Sequence, residues 1–208
     1  MERGSPAARA QALAGRYEEL LAQAGAAAVR WRWATPSSGR GDVEPLRLER
    51  MGCSPGRWLH GPPAPGREHE AIGFDALGRV VCIRTCDPTG AAWLERFATW
   101  APGAVEVACF RAPLEWRDAA LQAVTIVRFA DGRPVESERY LPPTGLLTGE
   151  RYLHEDSRLV RVEEPGGVVK EVLYDDDGTV IGIDRLDADG RHPVWRREES
   201  RLLRAVVA

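Results

Sequence analysis

The chain has 208 residues, is 44% hydrophobic and 28% charged, and carries a formal net charge of −3. Seven Trp exclude a disordered polymer, 15 Pro with 21 Gly disfavour a helical bundle, and no apolar run reaches the roughly 18 residues of a membrane span. A pI near 5.9 without an Arg-rich run sets nucleic acid aside as a partner.

Residues 6–24 read as one amphipathic helix. Ser5 before Pro6 makes a cap and a first-turn proline; Leu13, Tyr17, Leu20, Leu21 and Ala24 draw an apolar stripe; Gly25 is a stop signal. From Ala26 to Trp33 the period changes, with Val29, Trp31 and Trp33 alternating with Arg30 and Arg32 as on a strand. Residues 34–70 form a Pro/Gly-rich loop region, with a short strand expected around Leu46–Met51. From Ala71 onward the pattern has period two, as in Val105, Val107 and Cys109 or in Val160 and Val162. One interruption is expected at Ala91–Trp100, where Leu94, Phe97 and Ala98 have helical spacing.

A short motif recurs through this second part: apolar–Asp–x–x–Gly, then a basic or polar residue, then an apolar one. It reads Phe74-Asp75-Ala-Leu-Gly78-Arg79-Val80 and Tyr174-Asp175-Asp-Asp-Gly178-Thr179-Val180, and Leu186-Asp187-Ala-Asp-Gly190-Arg191 lacks only the last position. Leu153–Leu159 and Phe129–Arg133 are degenerate copies. Asp opens a turn by accepting backbone N–H bonds, and Gly three residues later adopts the left-handed conformation that closes a bulged hairpin. These motifs resemble the YD repeats of Rhs-type bacterial shell proteins. The resemblance covers about a third of the chain and implies a hairpin meander; it carries no active-site residue with it.

The expected fold is therefore mainly β (α+β). It is an antiparallel meander of about ten strands, curved or barrel-like, with one N-terminal amphipathic helix. Residues 1–33 supply helix and first strand, 34–70 the loop region and 71–208 the meander, all within a single domain.

No catalytic or metal signature stands up to its own geometry. Gly52-Cys-Ser54-Pro-Gly56 fits GxSxG, but Pro55 and a proline-rich loop follow where a helix must begin. Asp175, Asp177 and Gly178 echo a calcium loop whose first ligand position falls on Leu173, so no cation is expected there. Cys53, Cys82, Cys86 and Cys109 form no CxxC pair, and no cofactor is implied. His60, His69, His154 and His192 are scattered; His69 lies between Glu68 and Glu70, and His154 beside Glu155 and Asp156, as the nearest approach to an acid–base pair.

Two features suit binding. Residues 154–190 hold eleven acids against four bases, and the loop carrying Arg57, Trp58 and His60 offers little to bury an indole. The candidate contact residues are Trp58, Arg57, His60, His154, Asp175 and Asp177. The leading expectation is a non-catalytic bacterial binding or interaction protein of the immunity type, meeting a basic protein partner. The alternative is a small-ligand-binding protein or enzyme with a Trp/Arg-lined pocket between helix and curved sheet. A near-total replacement of Lys by Arg (Lys170 is the one exception) suggests a bacterial source. The lack of a basic start followed by an apolar stretch in the first 25 residues suggests the cytoplasm.

Overall fold

The computed structural model describes residues 5–114 and 117–197. Two helices open the chain, α1 (Pro6–Leu13) and α2 (Tyr17–Ala27). The single helix expected over 6–24 is broken at residues 14–16, where Gly15 removes helix propensity. The stripe survives the break, because Ala10 and Leu13 from α1 and Tyr17, Leu20 and Ala24 from α2 are buried together. The Ser5 cap is in place, its Oγ accepting the Ala8 N–H at 3.3 Å. Gly25 does not stop the helix, which continues to Ala27.

Twelve strands follow: β1 (Arg30–Ala34), β2 (His69–Phe74), β3 (Val80–Cys86), β4 (Ala92–Ala101), β5 (Ala104–Arg111), β6 (Ala120–Ala130), β7 (Arg133–Leu141), β8 (Leu146–Glu155), β9 (Arg158–Glu163), β10 (Val169–Tyr174), β11 (Val180–Asp187) and β12 (Gly190–Arg196). They form one antiparallel sheet in which every strand pairs with its sequence neighbours, and the sheet does not close on itself. The meander is as expected, with two corrections. Ala91–Trp100 is not helical but lies largely in β4, and the segment Leu46–Met51 is not a strand but holds the one-turn helix α3 (Arg47–Arg50).

Two of the three Asp–Gly corners fold as their chemistry requires, whereas at the third Gly190, with φ +122°, pairs directly with Asp187 across a two-residue turn and closes no bulge. Asp75 Oδ1 accepts the Leu77 and Arg79 N–H groups at 2.9 and 2.8 Å, and Gly78 has φ +76°. Asp175 Oδ1 accepts the Thr179 N–H at 2.7 Å beside Gly178 at φ +77°. Cys86-Asp87-Pro-Thr-Gly90 is a further copy, with Asp87 Oδ1 accepting from Thr89 and Ala91.

The helices lie on one face of β3–β7. There Tyr17 packs edge-on against Phe97 and Phe110, with centroids 5.9 and 5.6 Å apart. Phe97, Phe110 and Leu13 are fully buried, each worth about 1.5–3 kcal/mol of apolar transfer. Two charges are also buried beneath the helices. Glu106 is held by the Arg9 guanidinium at 2.6 and 2.8 Å, and Glu95 takes Arg84 Nε at 2.6 Å together with the Tyr17 hydroxyl.

The other face is crossed by the long connection between β1 and β2. Ser38 reaches Glu70 of β2, Asp42 reaches Arg96 of β4, Glu44 lies by Ser137 of β7, Arg50 meets Glu150 of β8, and Gly52 lies against the Val194 carbonyl of β12. The chain then returns: the Trp195 indole donates to Ser54 Oγ at 3.5 Å, and the Gly56 N–H donates to the Ser38 carbonyl at 3.0 Å. Laid flat, twelve strands would hold their outer edges about 50 Å apart. Residues 54–56 reach only about 7 Å. The sheet is therefore curled towards this face, and residues 35–58 run as a strap across its concave side.

Candidate functional site

Under the strap lies a cavity of about 230 Å³. Its floor follows from strand register. Opposed pairs Glu70–Thr85, Arg96–Cys109 and Thr125–Arg139 place polar side chains on the concave face of β2–β7, and Ile83, Ala98, Val107 and Ala123 share that face. Its roof is the strap from Ser37 to Leu48. Gly41 permits the close approach, since a Cβ there would stand 2.6 Å from Ile83 Cδ1. Gly56 does the same where the strap folds on itself, 2.7 Å from Ser38 Cα.

Three carboxylates and three guanidinium groups line the cavity. Arg96 bridges the strap to the sheet, donating from Nη1 to Asp42 and from Nη2 to Glu70 Oε1 at 2.9 Å. Glu70 Oε2 also accepts the Ser38 backbone N–H at 3.0 Å and the Ser38 hydroxyl. Arg47 meets Glu44 at 3.2 Å and Asp42 at 4.0 Å. Arg139 is different: among the described residues it has no hydrogen bond and no ion pair, and its Nε is buried without a partner. Burial, with Arg47 adding repulsion, lowers its basicity below the ordinary guanidinium value. A guanidinium stays charged in proteins, and here Glu44 and Asp42 are near enough to favour that charge without taking a hydrogen bond from it.

Burial also raises the Glu44 carboxyl above the ordinary range, against the pull of Arg47 and with help from Glu150. The Cys109 thiol is likewise pushed up by burial, against the arginines that face it. A second cavity of about 270 Å³ adjoins the first, sharing Glu44, Arg47 and Arg139 as lining and extending to Arg50, Glu150 and Lys170.

The residues singled out from the sequence lie elsewhere and apart. Trp58 is half-buried against Phe74, with the Arg32 guanidinium stacked 3.8 Å from its ring centroid, so its loop does cover it. Arg57 and His60 are exposed beside it. His154 is half-buried at the end of β8, where burial and then Arg133 lower its basicity. Asp175 caps the β10–β11 turn and Asp177 is exposed on it. Among the described residues no three His, Cys, Asp or Glu side chains group as metal ligands, and no helix is long and apolar enough to cross a membrane. Trp93, 47% exposed, borders the cavity; Trp116 falls outside the described residues.

The cavity residues Arg96 and Arg139 carried one sequence signal that went unused. Each is a charged residue at an alternate position of a strand whose neighbours on that face are apolar or small, as Arg96 is between Leu94 and Ala98. Reading residues 91–100 as a helix hid that alternation. Searches against protein-family models and curated proteins return no match for the chain.

Proposed function

We propose that this is a bacterial cytoplasmic binding protein that holds a small molecule in the cavity beneath the strap. The observation that carries the reading is a roofed cavity, part polar and part apolar, lined by a half-buried arginine, Arg139, whose buried Nε has no hydrogen-bond partner. A solid core would leave no such atom, because a buried donor without an acceptor costs about 1–3 kcal/mol. The volume equals the liquid share of about seven or eight waters, which suits a compact metabolite better than a peptide. Binding is favoured over turnover by the state of Cys109, a nucleophile that burial holds as thiol, and by a lining that includes no histidine. The four cysteines are free, as a reducing compartment keeps them.

The immunity-type reading, with a basic partner on the acidic stretch 154–190, draws less support. A meander sends successive turns to opposite ends of the sheet, so Asp156 and Asp175–Asp177 lie at one end and Glu164, Asp187 and Asp189 at the other. Glu171 and Asp184 are already engaged by Arg161, Arg191 and Arg196.

The test is a thermal-shift screen of small metabolites on the wild-type protein and on Ala98→Leu, which fills the cavity floor. Hits that raise the melting temperature of the wild type and leave Ala98→Leu unmoved are expected. Hits that shift both proteins equally place binding elsewhere and overturn the proposal.

A further inference from the structure

Resting on that reading, we infer the chemical class of the ligand: a compact organic monocarboxylate, its acid group on Arg139 and its apolar body over Ile83, Ala98, Val107 and Ala123. The geometry supplies two unlike halves. One wall offers a planar fork of N–H donors on β7 that nothing in the described chain occupies, and this fork matches a carboxylate with two parallel hydrogen bonds. The Thr125 hydroxyl, directly across the ladder from Arg139, is placed to add a third donor. Beside that fork, Ile83, Ala98, Val107 and Ala123 give the floor an apolar patch, bounded by the Arg96–Glu70 ion pair.

Charge limits the valence. Asp42 and Glu70 are hydrogen-bonded to Arg96 and Glu44 pairs with Arg47, so Arg139 is the guanidinium of the lining whose donors no carboxylate takes, although Asp42 and Glu44 stand near enough to favour its charge. One carboxylate suffices to take those donors. A second would face Asp42, Glu44 and Glu70 at short range, where like charges repel strongly in a medium of low dielectric. Inorganic phosphate and dicarboxylates are therefore poor occupants, and a neutral molecule of the same shape leaves Arg139 unanswered.

Cys109 gives a direct readout, since its thiol lies in the same cavity lining. The experiment follows alkylation of Cys109 by peptide mass spectrometry in the full-length protein, with benzoate, benzamide and inorganic phosphate as probes. Benzoate is expected to protect Cys109 at a concentration about tenfold or more below that needed for benzamide or phosphate, as a charge-assisted pair requires. Arg139→Gln should erase the advantage of benzoate over benzamide, and Arg139→Lys should keep part of it. Equal protection by benzoate and benzamide, in the wild type alone, overturns the carboxylate assignment and leaves the cavity a binding site. If no probe protects Cys109 while metabolite hits still stabilise the wild type but not Ala98→Leu, the assignment falls and the binding reading stands; if neither occurs, both fall.

Discussion

Asp184 and Glu44 are buried carboxylates whose neighbours push them in opposite directions. Burial alone would raise Asp184, but hydrogen bonds from Arg196 and from Arg191, the latter at 3.0 Å, overcome it and hold the carboxyl below the usual range. Its stabilising contribution is thus complete above the ordinary carboxylate value near 4 and is lost as pH falls through the lowered one. Asp184→Asn should cost roughly 1–3 kcal/mol at pH 7 by denaturant titration, and little at pH 2–3. Glu44 runs the other way: its raised value means that ionisation works against the fold as pH climbs. Glu44→Gln should therefore stabilise the protein at pH 8 and be neutral at pH 4, and a destabilised Glu44→Gln at pH 8 would show that the Arg47 pair outweighs burial. Neither role was legible in the sequence. Asp184 sits in an acid-rich stretch that reads as a solvated surface, and the arginines that claim it enter through β11–β12 register, which no local pattern discloses.

Hairpins, by contrast, were written plainly, because an Asp–x–x–Gly corner is a local device that closes without outside help. Its copies at 75–78 and 175–178 took their expected form, and the missed copy at 87–90 obeys the same rule. Strand β4 was misread for a physical reason. It is covered on both faces, by the helices on one side and the strap on the other, so Leu94, Phe97 and Ala98 are apolar together and alternation fades. The strap itself was invisible, since its composition is that of any loop and its hold depends on Ser38, Asp42 and Arg50 meeting strands far along the chain. Gly56→Ala tests that hold. The new methyl would stand 2.4 Å from Thr35 Oγ1 and 2.7 Å from Ser38 Cα, an overpacking cost of about 1–3 kcal/mol. A lower melting temperature with faster Cys109 alkylation is the expected result.

The molecule as a whole combines a ribbon of neighbouring hairpins with a single long-range closure. The pairing of each strand with its sequence neighbours keeps most contacts local, whereas the strap ties β1 to β12 through residues separated by more than a hundred positions. Its opening free energy should accordingly lie below that of the sheet. Native-state hydrogen exchange is expected to show the Ser38 and Gly56 amides exchanging faster than those of Val124 and Phe110, which sit in the central strands. Matching rates would mean that strap and sheet come apart only together.

The strap has one more effect, at the rims. The outer margin of β1 is occupied by residues 57–59, with Thr35 and Leu59 bonded to Arg57 and Trp33 and a bridge between Ala34 and Trp58. At the opposite margin β12 carries Pro193, which has no N–H to offer, among Arg191, His192 and Arg196. Among the described residues the meander presents two margins to which another chain could add a strand; one is sealed by its own backbone, and at the other the proline takes a donor out of the ladder. Each margin is thereby a poorer template for a further strand than a bare edge with all its donors in place.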